Sequence, residues 1–208
     1  MSRSGKFDKI KISLQEWLRG QTFTRALEAL ECGLSFHTGT RKDGHTPEFS
    51  HQLEIAHYIR TLPLGENLEN CLIVAFLHDV VEDHYTTLDA LEARFGPFIR
   101  ECVDVLTKQG RWTDKARREY YRRLGTNCVS SVVKGVDRMH NVQSMQHVFT
   151  VNKQQRYLRE VERWVLPMLR QAHKAYPSQE AAYENIMFVL QGQIDLIRHI
   201  HVAQAKAR

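Results

Sequence analysis

The stretch Leu72-Ile73-Val74-Ala75-Phe76-Leu77-His78-Asp79-Val80-Val81-Glu82-Asp83 sets the reading of this chain. Its first half is apolar without interruption; its second half carries a His-Asp pair and then a Glu-Asp pair. At about 100° per residue, Ile73, Val74, Leu77, Val80 and Val81 share one side of a helix. His78, Asp79, Glu82 and Asp83 fall within an arc of about 140° on the other side. On that second side the preceding turn carries Leu72, Ala75 and Phe76. The stretch therefore predicts one helix, buried all round at its start and ionisable on one face at its end. Charged groups at the end of a buried helix are costly unless they are paired or bound to metal, so a site is expected here.

The rest of the chain provides an ordinary setting for such a helix. With 208 residues, 42% hydrophobic and 25% charged, one domain with a sizeable core is expected over residues 1–208. No run of eighteen apolar residues and no basic-then-apolar leader occurs, which argues against a membrane span and a signal peptide and for a cytoplasmic protein. Cys32, Cys71, Cys102 and Cys128 are widely spaced among apolar neighbours and read as reduced core thiols. The net charge of +5 suits a polyanionic ligand without identifying one.

Periods near 3.6 recur throughout and alternating β-branched runs are scarce, so the fold class is all-α, a helical bundle. Residues 1–12 are polar and basic and are expected to be loosely held. Helices are predicted over about 21–36, 48–61, 97–108, 113–124 and 128–146, with two long ones over about 152–174 and 178–204. The core spans about 21–174, and the last helix completes it. Asn67 is a candidate N-cap for the central helix, and Thr86-Thr87-Leu88-Asp89 has the form of a capping box. Between the first two predicted helices, His37 to Pro47 holds two glycines, a proline and several hydrogen-bonding side chains, and reads as a binding loop. The helix at 113–124 interleaves Lys115, Arg117, Arg118, Arg122 and Arg123 with Tyr120 and Tyr121, yet no recognised nucleic-acid module accompanies it.

Because His78 and Asp79 are adjacent, an ion held by them needs ligands from elsewhere. His51 and Asp137 are the best candidates, since each interrupts an apolar helical stripe. Mixed nitrogen and oxygen donors suit manganese or iron better than a thiolate zinc site. Lys134 and Arg138 share a face with one another and are placed to meet phosphate, Arg138 being equally suited to partner an acid within the protein, and Asn141 follows Asp137 by one turn on the same face. Glu82 and Asp83 follow the His-Asp pair at a spacing from which a carboxylate can orient water or accept its proton. They stand at the end of the predicted helix that its dipole makes unfavourable for acids, a penalty that a nearby cation removes.

The order His51, His78-Asp79, Asp137 resembles the metal-dependent HD phosphohydrolase superfamily. Arg41-Lys42-Asp43-Gly44, Leu77 to Asp83, Phe95-Gly96, Leu106-Thr107-Lys108 and Lys134 to Asn141 tighten this to the hydrolase domain of RelA/SpoT-type enzymes, over about residues 26–145. The resemblance implies a helical bundle, one manganese ion and removal of the 3′-pyrophosphate from ppGpp and pppGpp. It implies His51, His78, Asp79 and Asp137 as metal ligands and Glu82 and Asp83 as the catalytic acidic pair. Arg41 and Lys42 correspond to the basic pair that clamps the base, and Asn141 to an asparagine that contacts the nucleotide. Guanidinium stacking on a purine face is a sound physical basis for the clamp.

In length the chain looks like a stand-alone small alarmone hydrolase. Two departures lie near the expected base and ribose pockets. Glu48-Phe49-Ser50 replaces a Tyr-Ile type sequence, and His84 stands where a threonine is typical. Three readings stay open on this basis: a (p)ppGpp hydrolase, a hydrolase of (p)ppApp or NADPH, and a nucleotide-sensing or antitoxin-like protein without turnover. Each implies a small purine nucleotide as partner, with no membrane and no nucleic acid.

Overall fold

The apolar residues upstream of His78 lie at the centre of the molecule. The structure, a computed structural model, describes residues 3–41 and 44–206. The helices, in chain order, are α1 (Arg3–Gly20), α2 (Thr24–Phe36), α3 (Ser50–Ile59), α4 (Leu68–Leu77), α5 (Val80–Asp83) and α6 (Leu88–Phe95). There follow α7 (Pro97–Leu106), α8 (Asp114–Leu124), α9 (Cys128–Ser144), α10 (Val151–Glu160), α11 (Leu166–Ala175) and α12 (Glu180–Lys206). The fold is all-α, with no strand among the described residues; one isolated antiparallel bridge pairs Thr40 with Pro47.

Every residue of α4 from Cys71 to Leu77 is fully buried, with α2, α3, α7 and α9 packed around it. Helix α9 is the second hub and carries α11 and α12 on a further side. Close approach at both hubs depends on glycine. A Cβ on Gly33 would stand 2.5 Å from the Phe76 carbonyl oxygen and 2.7 Å from the Phe49 ring, so any side chain would push α2 off α4. A Cβ on Gly135 would stand 2.9 Å from both Ile186 and Leu169, which brings α9 hard against α12 and α11. The four cysteines are free, three of them buried.

The structure corrects four sequence expectations. Residues 3–12 of the segment expected to be loosely held are helical, since α1 begins at Arg3, and just beyond that segment Leu14 and Leu18, one turn apart, are fully buried. Phe7, Ile10 and Trp17 pack against the same core, and burial of each leucine is worth roughly 1.5–3 kcal/mol. A short apolar stripe diluted by lysines concealed this helix from a reading of composition.

The central stretch is not one helix. Helix α4 ends at Leu77; Asp79, with φ −103° and ψ −5°, turns the chain, and α5 is a single four-residue turn. The acidic pair thus sits on a short separate turn and not at the end of a long macrodipole.

The caps differ as well. Asn67 closes a 3₁₀ turn over Gly65–Asn67 and makes no side-chain cap bond to α4. Thr87, not Thr86, caps α6, its hydroxyl accepting from the Ala90 N–H. Finally, the helix predicted over about 152–174 widens into a π turn at Val161–Val165. Pro167, two residues beyond, lacks an N–H and would clash with the carbonyl four residues back in a regular α-helix. The wider turn accommodates it.

Candidate metal centre and acidic pair

Mutual packing of α3, α4 and α9 brings three separate sequence positions together. His51 is the second residue of α3, His78 and Asp79 occupy the break after α4, and Asp137 lies in mid-α9. His51, His78 and Asp79 offer ligand atoms that all lie within 4.8 Å of one another. Asp137 stands at the edge of this group, its Oδ1 3.2 Å from His51 Nε2.

Hydrogen bonds at the far side of each ring determine which nitrogen faces the centre. His78 donates from Nδ1 to the Ala75 carbonyl at 2.8 Å, which turns Nε2 toward the centre, where it carries a proton toward Asp79 or, in the neutral ring, a lone pair. That Nε2 is buried, has no hydrogen-bond partner and lies 3.0 Å from Asp79 Oδ2. His51 Nδ1 meets His140 Nδ1 at 2.8 Å, and His140 Nε2 donates to Glu54 Oε2 at 2.6 Å. Lys6 completes the chain on Glu54 Oε1 at 2.6 Å. Two tautomers fit the His51–His140 contact: with the proton on His51 Nδ1 the Nε2 lone pair faces the Asp137 carboxylate, and with the proton on Nε2 the ring donates to it. In the first tautomer two electron-rich atoms face each other when buried, close to His78 and Asp79, an arrangement that fits a cation between them. Two imidazoles and carboxylates form a donor set suited to a divalent transition metal.

The proton affinities follow from the same geometry. Burial holds His51 down at about 4 and hence neutral. Burial also pushes His78 down, but Asp79, Asp137 and the Ala75 carbonyl together carry it up to about 9. Burial raises Asp79, yet the His78 beside it holds this carboxyl well below the usual range. Burial works against Asp137 in the same way and is outweighed by Lys134, His51 and Arg138.

Helix α9 buries its charges around Asp137. Lys134 Nζ donates to Asp137 Oδ2 at 2.9 Å, and Asn141 Nδ2 donates to Oδ1 at 2.5 Å. Lys134 and Arg138, expected to meet phosphate, are 5% and 7% exposed. The Arg138 guanidinium donates to the Tyr157 hydroxyl at 2.6 Å, reaches Glu160 at 3.5 Å and lies over the Tyr157 ring. The geometry thus engages both cations inside the protein, where Lys134 orients the carboxylate of Asp137.

Glu82 and Asp83 are exposed on α5. The Lys108 ammonium donates to Glu82 at 2.9 Å and its backbone N–H at 3.3 Å, which ties α5 to the end of α7. Burial of its carboxyl, then Asp79 and Glu82, raise the proton affinity of Asp83 from its ordinary value. Arg41 is half-buried in the loop that the Thr40–Pro47 bridge closes, its N–H donating to the Thr46 carbonyl; Lys42 lies outside the described residues. In the basic helix α8, Tyr120 and Tyr121 are core residues, and Arg117, Arg122 and Arg123 pair with Asp114, Glu119 and Asp104.

The His140–Glu54 relay is absent from the sequence reading, although each member is three residues from an expected ligand, Glu54 from His51 and His140 from Asp137. That spacing places each on its ligand's face of a helix and was a usable signal.

Comparison with known proteins places this geometry among relatives. The chain matches the model of an HD domain over residues 29–161. It is 29% identical over 172 residues to a probable guanosine-3′,5′-bis(diphosphate) 3′-pyrophosphohydrolase of Synechocystis, covering 74% of this chain and 22% of that one. It is 31% identical over 146 residues to a probable GTP pyrophosphokinase of Mycobacterium leprae, covering 67% and 18%. With the bifunctional (p)ppGpp synthase/hydrolase SpoT of Escherichia coli it shares 25% identity over 147 residues, covering 67% and 20%. The chain spans about a fifth of the length of these relatives. A solved structure described as a metazoan ortholog of SpoT that hydrolyzes ppGpp superposes with a TM-score of 0.63 at 18% identity, covering 81% of this chain and 95% of that one.

Proposed function

The chain belongs to the HD domain family, and on that premise we propose that it is a metal-dependent hydrolase removing the 3′-pyrophosphate from ppGpp and pppGpp. The observation that carries this reading is the convergence of ligand atoms from His51, His78 and Asp79 within 4.8 Å of one another, one short turn before the exposed pair Glu82–Asp83. His51, His78, Asp79 and Asp137 would hold the ion, for which manganese fits the mixed imidazole and carboxylate donors. When bound, the ion supplies Lewis-acid polarisation of phosphate oxygens and a lowered water pKa.

The remaining work falls to the chain's own residues. The relay from Lys6 through Glu54 and His140 orients the His51 ring, and the Ala75 carbonyl does the same for His78. Asp83, with its raised proton affinity, is suited to accept and pass on a proton, and Glu82 to orient the attacking water. Lys108 beside Glu82 brings positive charge to the rim, where a pyrophosphate group would leave. Arg41, Lys42 and Asn141 are proposed to hold the nucleoside, and the cytoplasm is the compartment in which such a substrate is met.

The test is manganese-loaded protein incubated separately with ppGpp, ppApp and NADPH, with products resolved by ion exchange. Pyrophosphate and GDP from ppGpp are expected; turnover of ppApp or NADPH alone moves the base assignment, and turnover of none of them sinks the hydrolase reading.

A further inference from the structure

Both departures from the family pattern meet in space, together with His37. His37 ends α2, Glu48 lies in the loop before α3, and His84 ends α5. The three offer ligand atoms within 4.8 Å of one another. We propose that His37, Glu48 and His84 form a second divalent-cation site, separate from the His51–His78–Asp79 centre. It stands whatever the substrate of that centre is.

The spacing is that of donors around one ion. His37 Nδ1 lies 2.9 Å from His84 Nε2 and 3.9 Å from Glu48 Oε2. Ligands at 2.0–2.2 Å from a tetrahedral zinc ion are roughly 3.3–3.6 Å apart, so both separations from His37 Nδ1 lie within a few tenths of an ångström of that spacing, while the ligand atoms of His84 and Glu48 lie within 4.8 Å of each other. Two imidazoles, one carboxylate and an open fourth position constitute a common zinc donor set.

A simple N–H···N hydrogen bond between the rings explains the 2.9 Å distance as well, and metal titration separates the two readings. Gln52, 2% exposed, holds its Nε2 3.5 Å from His37 Nε2, while its Oε1 has no partner. Turning this amide lets Oε1 accept from His37 Nε2–H, which satisfies the orphan oxygen and leaves the Nδ1 lone pair to accept from His84 or to meet a cation. Coordination then needs only a change of tautomer, with no net loss of a proton. The His37 ring is already fixed by stacking on Phe49, 5.7 Å between centroids. Burial and the adjoining His84 hold His37 down at about 4, so the ring is an uncharged ligand at neutral pH.

The experiment uses full-length protein stripped with EDTA, titrated with Zn²⁺ by calorimetry and counted by metal analysis, with thermal melts to check folding. Two equivalents are expected for the wild type. His84→Ala and the more exposed Glu48→Gln should each lose one equivalent or weaken it at least tenfold, whereas His78→Ala should keep that equivalent and lose the other. A single wild-type equivalent that His78→Ala removes overturns the proposal, as do two equivalents that both His84→Ala and Glu48→Gln retain. A single equivalent lost in Glu48→Gln but kept in His78→Ala supports it, even if the His78 centre takes no zinc.

Discussion

Lys134 and Asp137 form an ion pair of 2.9 Å inside α9, the lysine 5% and the aspartate 4% exposed. Removal of one partner of such a pair strands a buried charge. Lys134→Met is therefore expected to destabilise the protein by roughly 3–5 kcal/mol. It should also loosen the hold on any ion that Asp137 helps to bind. A thermal melt that does not move in Lys134→Met would show that the ammonium is not needed to hold Asp137.

The relay behind His51 gives a gentler variant. His140→Ala removes the ring that orients His51 Nδ1 and leaves α9 intact, so metal affinity should fall by about 10–100-fold, together with the stabilisation that Glu54 draws from its His140 hydrogen bond. Calorimetric titration with Mn²⁺ measures this; unchanged affinity would reduce His140 to a packing residue.

Glu54 adds a pH dependence with a definite sign. The His140 hydrogen bond, opposed by burial and aided by Lys6, holds its carboxyl down at about 2 from an ordinary value of 4.5. A depressed folded-state value means that the stabilisation is fully present above about 4.5 and is lost as pH falls toward 2. Glu54→Gln should accordingly be less stable than wild type at pH 7, and the difference should shrink as unfolding is followed from pH 5 to pH 2.5. A constant difference across that range would assign the effect to packing.

The sequence made the candidate ligands stand out because each is a polar residue at a fixed spacing within an apolar pattern: His51 in the stripe of α3, Asp137 in that of α9, and His78-Asp79 after six apolar residues. It could not show the break at Asp79, because a 3.6-residue period continues through a single turned residue with little change of phase. Nor could it show that Lys134 and Arg138 point inward. A cation one turn from an aspartate reads as a solvated face until the packing of α9 against α3, α4, α11 and α12 is known. The His37–Glu48–His84 cluster was hidden for a related reason: its members come from three elements and share no periodicity.

Helix α1 tests the largest misreading of the fold. Leu18 is fully buried where α1 meets α2 and α3, and Leu18→Ala should cost about 2–5 kcal/mol, as for other core leucines. Denaturant unfolding measures it. A loss below about 1 kcal/mol would mean that α1 is a detachable cover, since core truncations of this size exceed that value.

The acidic pair and the ligands should separate by what each variant loses. Asp79→Asn removes a carboxylate from a group whose donor atoms all lie within 4.8 Å, so ion binding and turnover should fall together. Glu82→Gln touches neither His51 nor His78; it breaks an exposed pair with Lys108, worth about 0–1 kcal/mol, so melting and ion affinity should stay near wild type. If Glu82 orients the attacking water, turnover should drop by about 10²–10⁴-fold with KM little changed, the usual scale for loss of a positioned acid or base. Should KM rise while kcat holds, Glu82 would instead be positioning Lys108 for substrate phosphate. Full activity in Glu82→Gln would leave Asp83 alone to handle the proton, which its raised proton affinity makes the natural second candidate.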